Sequence, residues 1–317
     1  MTARRRPLLV AAMLLVALLA AGYLATGCNV VRWQRDRLVS RMKTAGMAAH
    51  VEPLGDATVR YWEGGKGRPV LFIHGFGAEA IWQWCDQVEA FSADHRVIVP
   101  DLLWFGGSSS PERDFTLDHQ VRTLVALLDK LGEKSVDVVG ISYGGLVAFD
   151  LAWRHPDRVS RLVIVDSPGC AYTRADYDGM LQRFGTPSAA DLLLPKEEGG
   201  IDRLMDLAYA HPPWTPGFAK RQVLQEMYSS WPEEKAALLE ALVQSMPGRP
   251  GCESAPQTPA LLIWGRDDPV FPLAIGERLA TGLKAKLVII ESARHAPNLE
   301  HPAEVNAALR AFLGATP

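Results

Sequence analysis

Val136-Asp137-Val138-Val139-Gly140-Ile141-Ser142-Tyr143-Gly144-Gly145-Leu146 is the stretch on which the reading of this 317-residue chain turns. A short β-branched apolar run reads as a buried strand, and the apolar stretch from Leu146 to Trp153 reads as a helix. Between them stands Gly-x-Ser-x-Gly, the pattern of a strand-to-helix turn tight enough to hold a serine in a strained, exposed conformation. Glycines flank the serine because a Cβ would clash there. The pattern alone is common; its position between a strand and a helix gives it weight.

Working outward, short continuous apolar runs recur at Val59-Trp62, Val70-Ile73, Val97-Val99, Leu162-Val165, Leu261-Trp264 and Leu287-Ile290. Runs of this kind are strands covered on both faces. Helix-compatible segments lie between them, at Ile81-Phe91, Leu117-Leu131, Leu273-Leu283 and Ala303-Leu313, the last opened by Pro302. The alternation predicts an α/β fold, a mostly parallel sheet with helices on both faces. It breaks between about Cys170 and Pro256, where Leu, Met, Pro and Trp dominate and no strand run occurs. That segment is expected to form helices over Tyr177-Phe184, Ile201-Tyr209 and Phe218-Met246, broken near Trp231-Pro232. It reads as a lid over the strand ends, where ligands bind in such sheets. The expected division is 58–170 with 256–317 for the core, 171–255 for a helical lid after the sixth core strand, and 29–57 for a connector.

A serine hydroxyl needs a base within hydrogen-bond reach and a third group that orients the base. In this arrangement the acid and then the histidine follow the serine in the chain. After Leu261-Trp264 comes Gly265-Arg266-Asp267-Asp268-Pro269, with two candidate acids; Asp268, stiffened by the proline, is preferred to Asp267. Asp-Asp-Pro is also ordinary turn chemistry. After Val288-Ile290 comes Ser292-Ala293-Arg294-His295, and His295 is the candidate base. Among the later histidines, His211 falls in the helical segment and His301 directly precedes the last helix. Negative charge developing on a substrate oxygen needs backbone donors. Tyr143, next to the serine, and Phe76, in His74-Gly75-Phe76-Gly77 after an early strand, are the candidates for this oxyanion hole. His74 reads as a structural residue of that loop.

These residues in this order resemble the α/β-hydrolase superfamily over roughly residues 58–314, with Pro100-Asp101-Leu102-Leu103 as a further shared motif. Within it the chain is similar to capped bacterial lipases and esterases and to hydrolases that cleave carbon–carbon bonds in ring-fission products. Val165-Asp166-Ser167-Pro168-Gly169 and Ala210-His211-Pro212-Pro213-Trp214 resemble the lipase branch. The resemblance implies a helical cap and a Ser142–His295–Asp268 triad. A departure is Trp104, where a glycine is usual; a bulky residue there is expected to narrow the substrate pocket, with Trp214 as a second pocket residue. Serine rather than aspartate at the turn argues against the haloalkane dehalogenases and epoxide hydrolases of this superfamily.

The composition is that of a globular protein, 48% apolar and 22% charged, and a net charge of -3 gives no reason to expect nucleic acid. The N-terminus differs. Arg4-Arg5-Arg6 precedes an uncharged, apolar run from Pro7 to about Thr26, long enough for a helix to span a bilayer. Three fates are open to it: a retained signal anchor, a cleaved signal peptide, or a lipoprotein signal. Leu24-Ala25-Thr26-Gly27-Cys28 resembles a bacterial lipobox ending in a lipidated Cys28, with Ala25 where leucine is usual. Each fate puts the rest of the chain outside the cytoplasm. The remaining cysteines are Cys85, Cys170 and Cys252, and their spacing suggests no metal site. Cys170 and Cys252 flank the same inserted segment, so a disulfide between them and free buried thiols are both open. No motif calls for a cofactor.

The expected activity is therefore ester hydrolysis by a serine triad at the outer face of a membrane. Carbon–carbon bond hydrolysis by the same triad, and a non-catalytic binding protein of this fold, are the alternatives.

Overall fold

The structure, a computed structural model, describes residues 29–77, 79–246, 251–255 and 257–314. The expectations for the apolar N-terminal run and Cys28 lie outside these residues. Among the described residues no helix is long and apolar enough to cross a membrane.

The sheet comprises β1 (Met47–Leu54), β2 (Ala57–Gly64), β3 (Arg68–Ile73), β4 (His95–Pro100), β5 (Val136–Ile141), β6 (Val159–Val165), β7 (Ala260–Gly265) and β8 (Lys286–Ile290). Their spatial order is β1-β2-β4-β3-β5-β6-β7-β8. β1 and β2 pair antiparallel, as do β2 and β4, and every later pairing is parallel. β5 is buried along its whole length because both faces are covered. Successive residues alternate between two apolar cores: Val138 joins one, Val139 and Ile141 the other.

On one face pack α3 (Leu117–Lys130), α4 (Tyr143–Arg154) and α10 (Leu273–Leu283), through Leu124, Val147 and Leu279 among others. On the other pack α1 (Val30–Thr44), α2 (Ala80–Phe91) and α11 (Pro302–Leu313), through Leu38, Trp84 and Leu309. The predicted α/β architecture is therefore present.

Between β6 and β7 stand α5 (Arg174–Phe184), α6 (Ala189–Leu193), α7 (Glu198–Ala208), α8 (Gly217–Val223), a π-helical turn (Leu224–Tyr228) and α9 (Pro232–Ser245). The break expected at Trp231-Pro232 falls where Trp231 takes φ 58°, and α9 starts on Pro232. Tyr177, Met180, Leu207 and Leu238 of this segment belong to the same apolar core as α3 and α4. Cys170 and Cys252 form a disulfide across the neck of the segment, 82 residues apart in sequence, while Cys85 is a buried free thiol.

The connector reading of residues 29–57 needs correction. Leu38 and Met42 of α1 are buried against the sheet, so this stretch is part of the fold. Its start is held by the inserted segment: Asn29 caps α1 through its Oδ1 and donates from Nδ2 to Glu226, while the Val30 N–H donates to Gln222. Met47–Leu54 is an edge strand of the sheet. Its sequence, Met-Ala-Ala-His-Val-Glu-Pro-Leu, looks polar because most of it is exposed, and Pro53 is tolerated on an edge where one side of the ladder is unpaired.

Candidate active site

Ser142 sits between β5 and α4 with φ 53° and ψ −121°, a conformation that L residues rarely adopt. The turn closes only because its neighbours lack side chains. A Cβ on Gly140 would stand 2.3 Å from the carbonyl oxygen of Gly144. The Ser142 N–H is tied to the Val165 carbonyl at 3.0 Å, which fixes the turn to the end of β6.

His295 follows β8. Its Nε2 lies 2.8 Å from Ser142 Oγ and its Nδ1 2.8 Å from Asp268 Oδ2. A carboxylate can only accept, so Nδ1 carries the ring proton and Nε2 is free to accept from the serine hydroxyl. Asp268 is buried, and its Oδ1 accepts the N–H groups of Val270 at 2.7 Å and Phe271 at 3.1 Å. The histidine loop is anchored to α7: the His295 N–H donates to the Leu207 carbonyl and Ala296 N–H to that of Ala208. Phe271 packs edge-on against the imidazole, with centroids 5.4 Å apart. Asp267, the other candidate acid, is exposed. His211 is exposed as well, and His301 points its Nε2 at the Ser292 carbonyl.

The loop after β3 lies against the serine turn. A Cβ on Gly75 would meet the Ser142 Cβ at 3.3 Å. Phe76 and Tyr143, the candidate oxyanion donors, stack edge-on with ring centroids 5.8 Å apart, and both line the cavity that holds Ser142. His74 is fully buried; its Nδ1 donates to the Gly75 carbonyl, and its Nε2 accepts the Leu102 N–H at 2.9 Å. Burial lowers its pKa to about 4, so it is neutral and braces the loop.

The cavity measures about 660 Å³. Besides Ser142 and His295 it is lined by Met180, Leu239 and Leu242 of the inserted helices and by Val30 and Leu38 of α1. The two tryptophans expected here do not line it. Trp104 is buried elsewhere, against Phe115 and His119, and its φ of 66° explains why glycine suits that position. Trp214 is 88% exposed, while its neighbour Pro213 lines the cavity. Not foreseen from sequence were Tyr228, on the π-helical turn, and the α1 residues, none of which belongs to a motif.

A family model described as the alpha/beta hydrolase fold matches residues 68–302. The 2-hydroxymuconate semialdehyde hydrolase of Pseudomonas sp. (strain CF600) is 30% identical over 270 residues, 79% of this chain and 88% of that protein. Lipase 1 of Psychrobacter immobilis is 28% identical over 280 residues, 86% of this chain and 84% of the lipase. Among solved structures, one described as a membrane phospholipase A and bacterial virulence factor superposes with a TM-score of 0.79 at 26% identity, over 98% of each chain.

Proposed function

This chain belongs to the α/β-hydrolase fold family, and we propose that within it the protein is a serine hydrolase of carboxylic esters. The observation that carries this reading is the hydrogen-bonded line Asp268–His295–Ser142 opening into a cavity lined chiefly by apolar side chains. Ser142 Oγ attacks the ester carbonyl while His295 Nε2 takes its proton. Asp268 orients the imidazole and stabilises its charged form. The backbone N–H groups of Phe76 and Tyr143 receive the oxyanion. His295 then protonates the departing alcohol and activates the water that releases the acid. Residues 171–255 act as the lid, and Met180, Leu239 and Leu242 form the acyl or alcohol pocket.

The second reading, carbon–carbon bond hydrolysis, is favoured by the likeness to 2-hydroxymuconate semialdehyde hydrolase. That substrate class brings an anionic group that would call for a cation. Among the described residues lining the cavity the guanidinium is that of Arg41, and it is already engaged by Asp86 and Glu89. The ester reading is therefore preferred.

Three observations support work at a membrane, outside the cytoplasm. Arg4-Arg5-Arg6 precedes the apolar run 7–26. A Cys170–Cys252 disulfide suits an oxidising compartment. The chain resembles a membrane phospholipase A along its length. Val30, only a few residues past the apolar run, lines the cavity, which would set the cavity near the bilayer. Esters graded by acyl length, assayed beside a vinylogous 1,5-diketone, test the reading. Turnover of esters supports it, and turnover of the diketone alone overturns it.

A further inference from the structure

β6 ends on a second buried carboxyl. Asp166 is fully buried with φ 39°, and its Oδ1 accepts the Gly265 N–H at 2.9 Å. Its Oδ2 is buried and has no conventional donor facing it. One oxygen of Asp166, one of Asp268 and one ring nitrogen of His295 lie within 4.8 Å of one another.

The acceptor sites of Asp268 are nearly filled. Oδ1 takes two backbone N–H groups and Oδ2 takes His295. A carboxylate oxygen offers two lone pairs, so Oδ2 has one left. Two carboxylates this close in a buried site cannot both carry charge. Asp268 has the donors that stabilise an anion; Asp166 has one. The other charged group bearing on Asp166 is Glu300, itself an acceptor of the Ala210 and Arg294 N–H groups, and no basic side chain pairs with Asp166 among the described residues.

We propose that Asp166 is a neutral carboxylic acid whose Oδ2–H donates to Asp268, a positioning residue that completes the hydrogen bonding of the triad acid. This rests on the triad reading given above. Burial first, and then the charge of Asp268, push the Asp166 carboxyl well above the ordinary carboxylate range. The donated proton holds the Asp268 carboxylate in place against His295 and spreads its charge. The site thus acquires a second acid that takes no proton from substrate and gives none to it.

The test uses the full-length protein and the pH dependence of ester hydrolysis. In Asp166→Asn an amide N–H replaces the acid O–H and the amide oxygen still receives Gly265. This variant should keep kcat within about threefold of wild type, with the acid limb of the profile unmoved, because no charge has been removed. Asp166→Leu removes the donor and should lower kcat by about tenfold. A limb moved to lower pH by about one unit or more in Asp166→Asn would mean that Asp166 is ionised, and would overturn the proposal. So would a Leu variant equal to wild type.

Should the Leu variant fail to fold, melting curves of Asp166→Asn and wild type decide the matter. A raised folded pKa means that the stability a neutral acid contributes is complete below about pH 4 and is lost as pH rises above it. The Asn variant should therefore gain on wild type steadily from pH 4 to pH 8, and parallel curves would contradict the proposal. Ser142→Ala is run beside them. If it still hydrolyses ester, the triad reading itself fails; if it is inactive while Asp166→Asn shifts the limb, only the role of Asp166 fails.

Discussion

A Cβ built on Gly144 would stand 2.3 Å from the carbonyl oxygen of His74 and 2.4 Å from that of Ile73. The serine turn and the loop after β3 are thus in backbone contact, and the distance from the nucleophile to the proposed oxyanion donors is set by the missing side chain. Gly144→Ala should destabilise the protein by about 3 kcal/mol and depress kcat more than KM. Thermal denaturation and steady-state kinetics on one ester check this.

Asp268→Asn should reduce kcat by about 10³- to 10⁴-fold, since an amide favours the wrong imidazole tautomer. Asp267→Asn, a change at an exposed side chain one residue away, should leave kcat within about twofold of wild type. Measuring both separates the two acids that sequence alone offers.

Opening the disulfide with Cys170→Ser and Cys252→Ser should cost about 2–5 kcal/mol, because the bridge closes a long loop. Reductant should reproduce the loss in wild type and do nothing to the double variant. Cys85 should stay unreactive under the same conditions, its thiol pushed up to about 11 by burial.

Leu242→Trp should shorten the preferred acyl chain, since Leu242 of the inserted helices lines the cavity. The expected result is a drop of about tenfold in kcat/KM for the longest esters with little change for the shortest. A loss that does not depend on acyl length would show that the acyl chain does not reach Leu242.

Lys235 is buried, with its ammonium donating to the Met227 carbonyl at 3.1 Å and lying near the Phe105 and Tyr228 rings. Burial lowers its pKa to about 8. Between that value and the ordinary lysine value of about 10.4 the unfolded chain binds more protons, so stability rises with pH across this window. The penalty is complete below about pH 8. Lys235→Met should melt higher than wild type at pH 7, and the gap should close towards about pH 10.

Much of this site was legible because its chemistry lies in short turns at strand ends. Gly140 to Gly145 announces the serine turn, and Asp268 and His295 each follow a β-branched run by a few residues. What escaped has a different character. β1 escaped because an exposed edge strand has no apolar period. Trp104 and Trp214 were placed in the pocket by size and neighbourhood, but one turns into the core at a positive φ and the other faces solvent. Which inserted side chains reach the cavity depends on helix packing that no spacing rule fixes. Asp166 stands within the Val165–Gly169 motif, but the motif gives it no role: its importance comes from β6 and β7 ending side by side, which brings it to Asp268.

The most direct measurement is labelling of the full-length protein with a fluorophosphonate, followed by peptide mass spectrometry. The account predicts a single phosphonylated site, Ser142, with labelling and ester hydrolysis both lost in Ser142→Ala. Absence of label on Ser142, or hydrolysis that persists in Ser142→Ala, would contradict it.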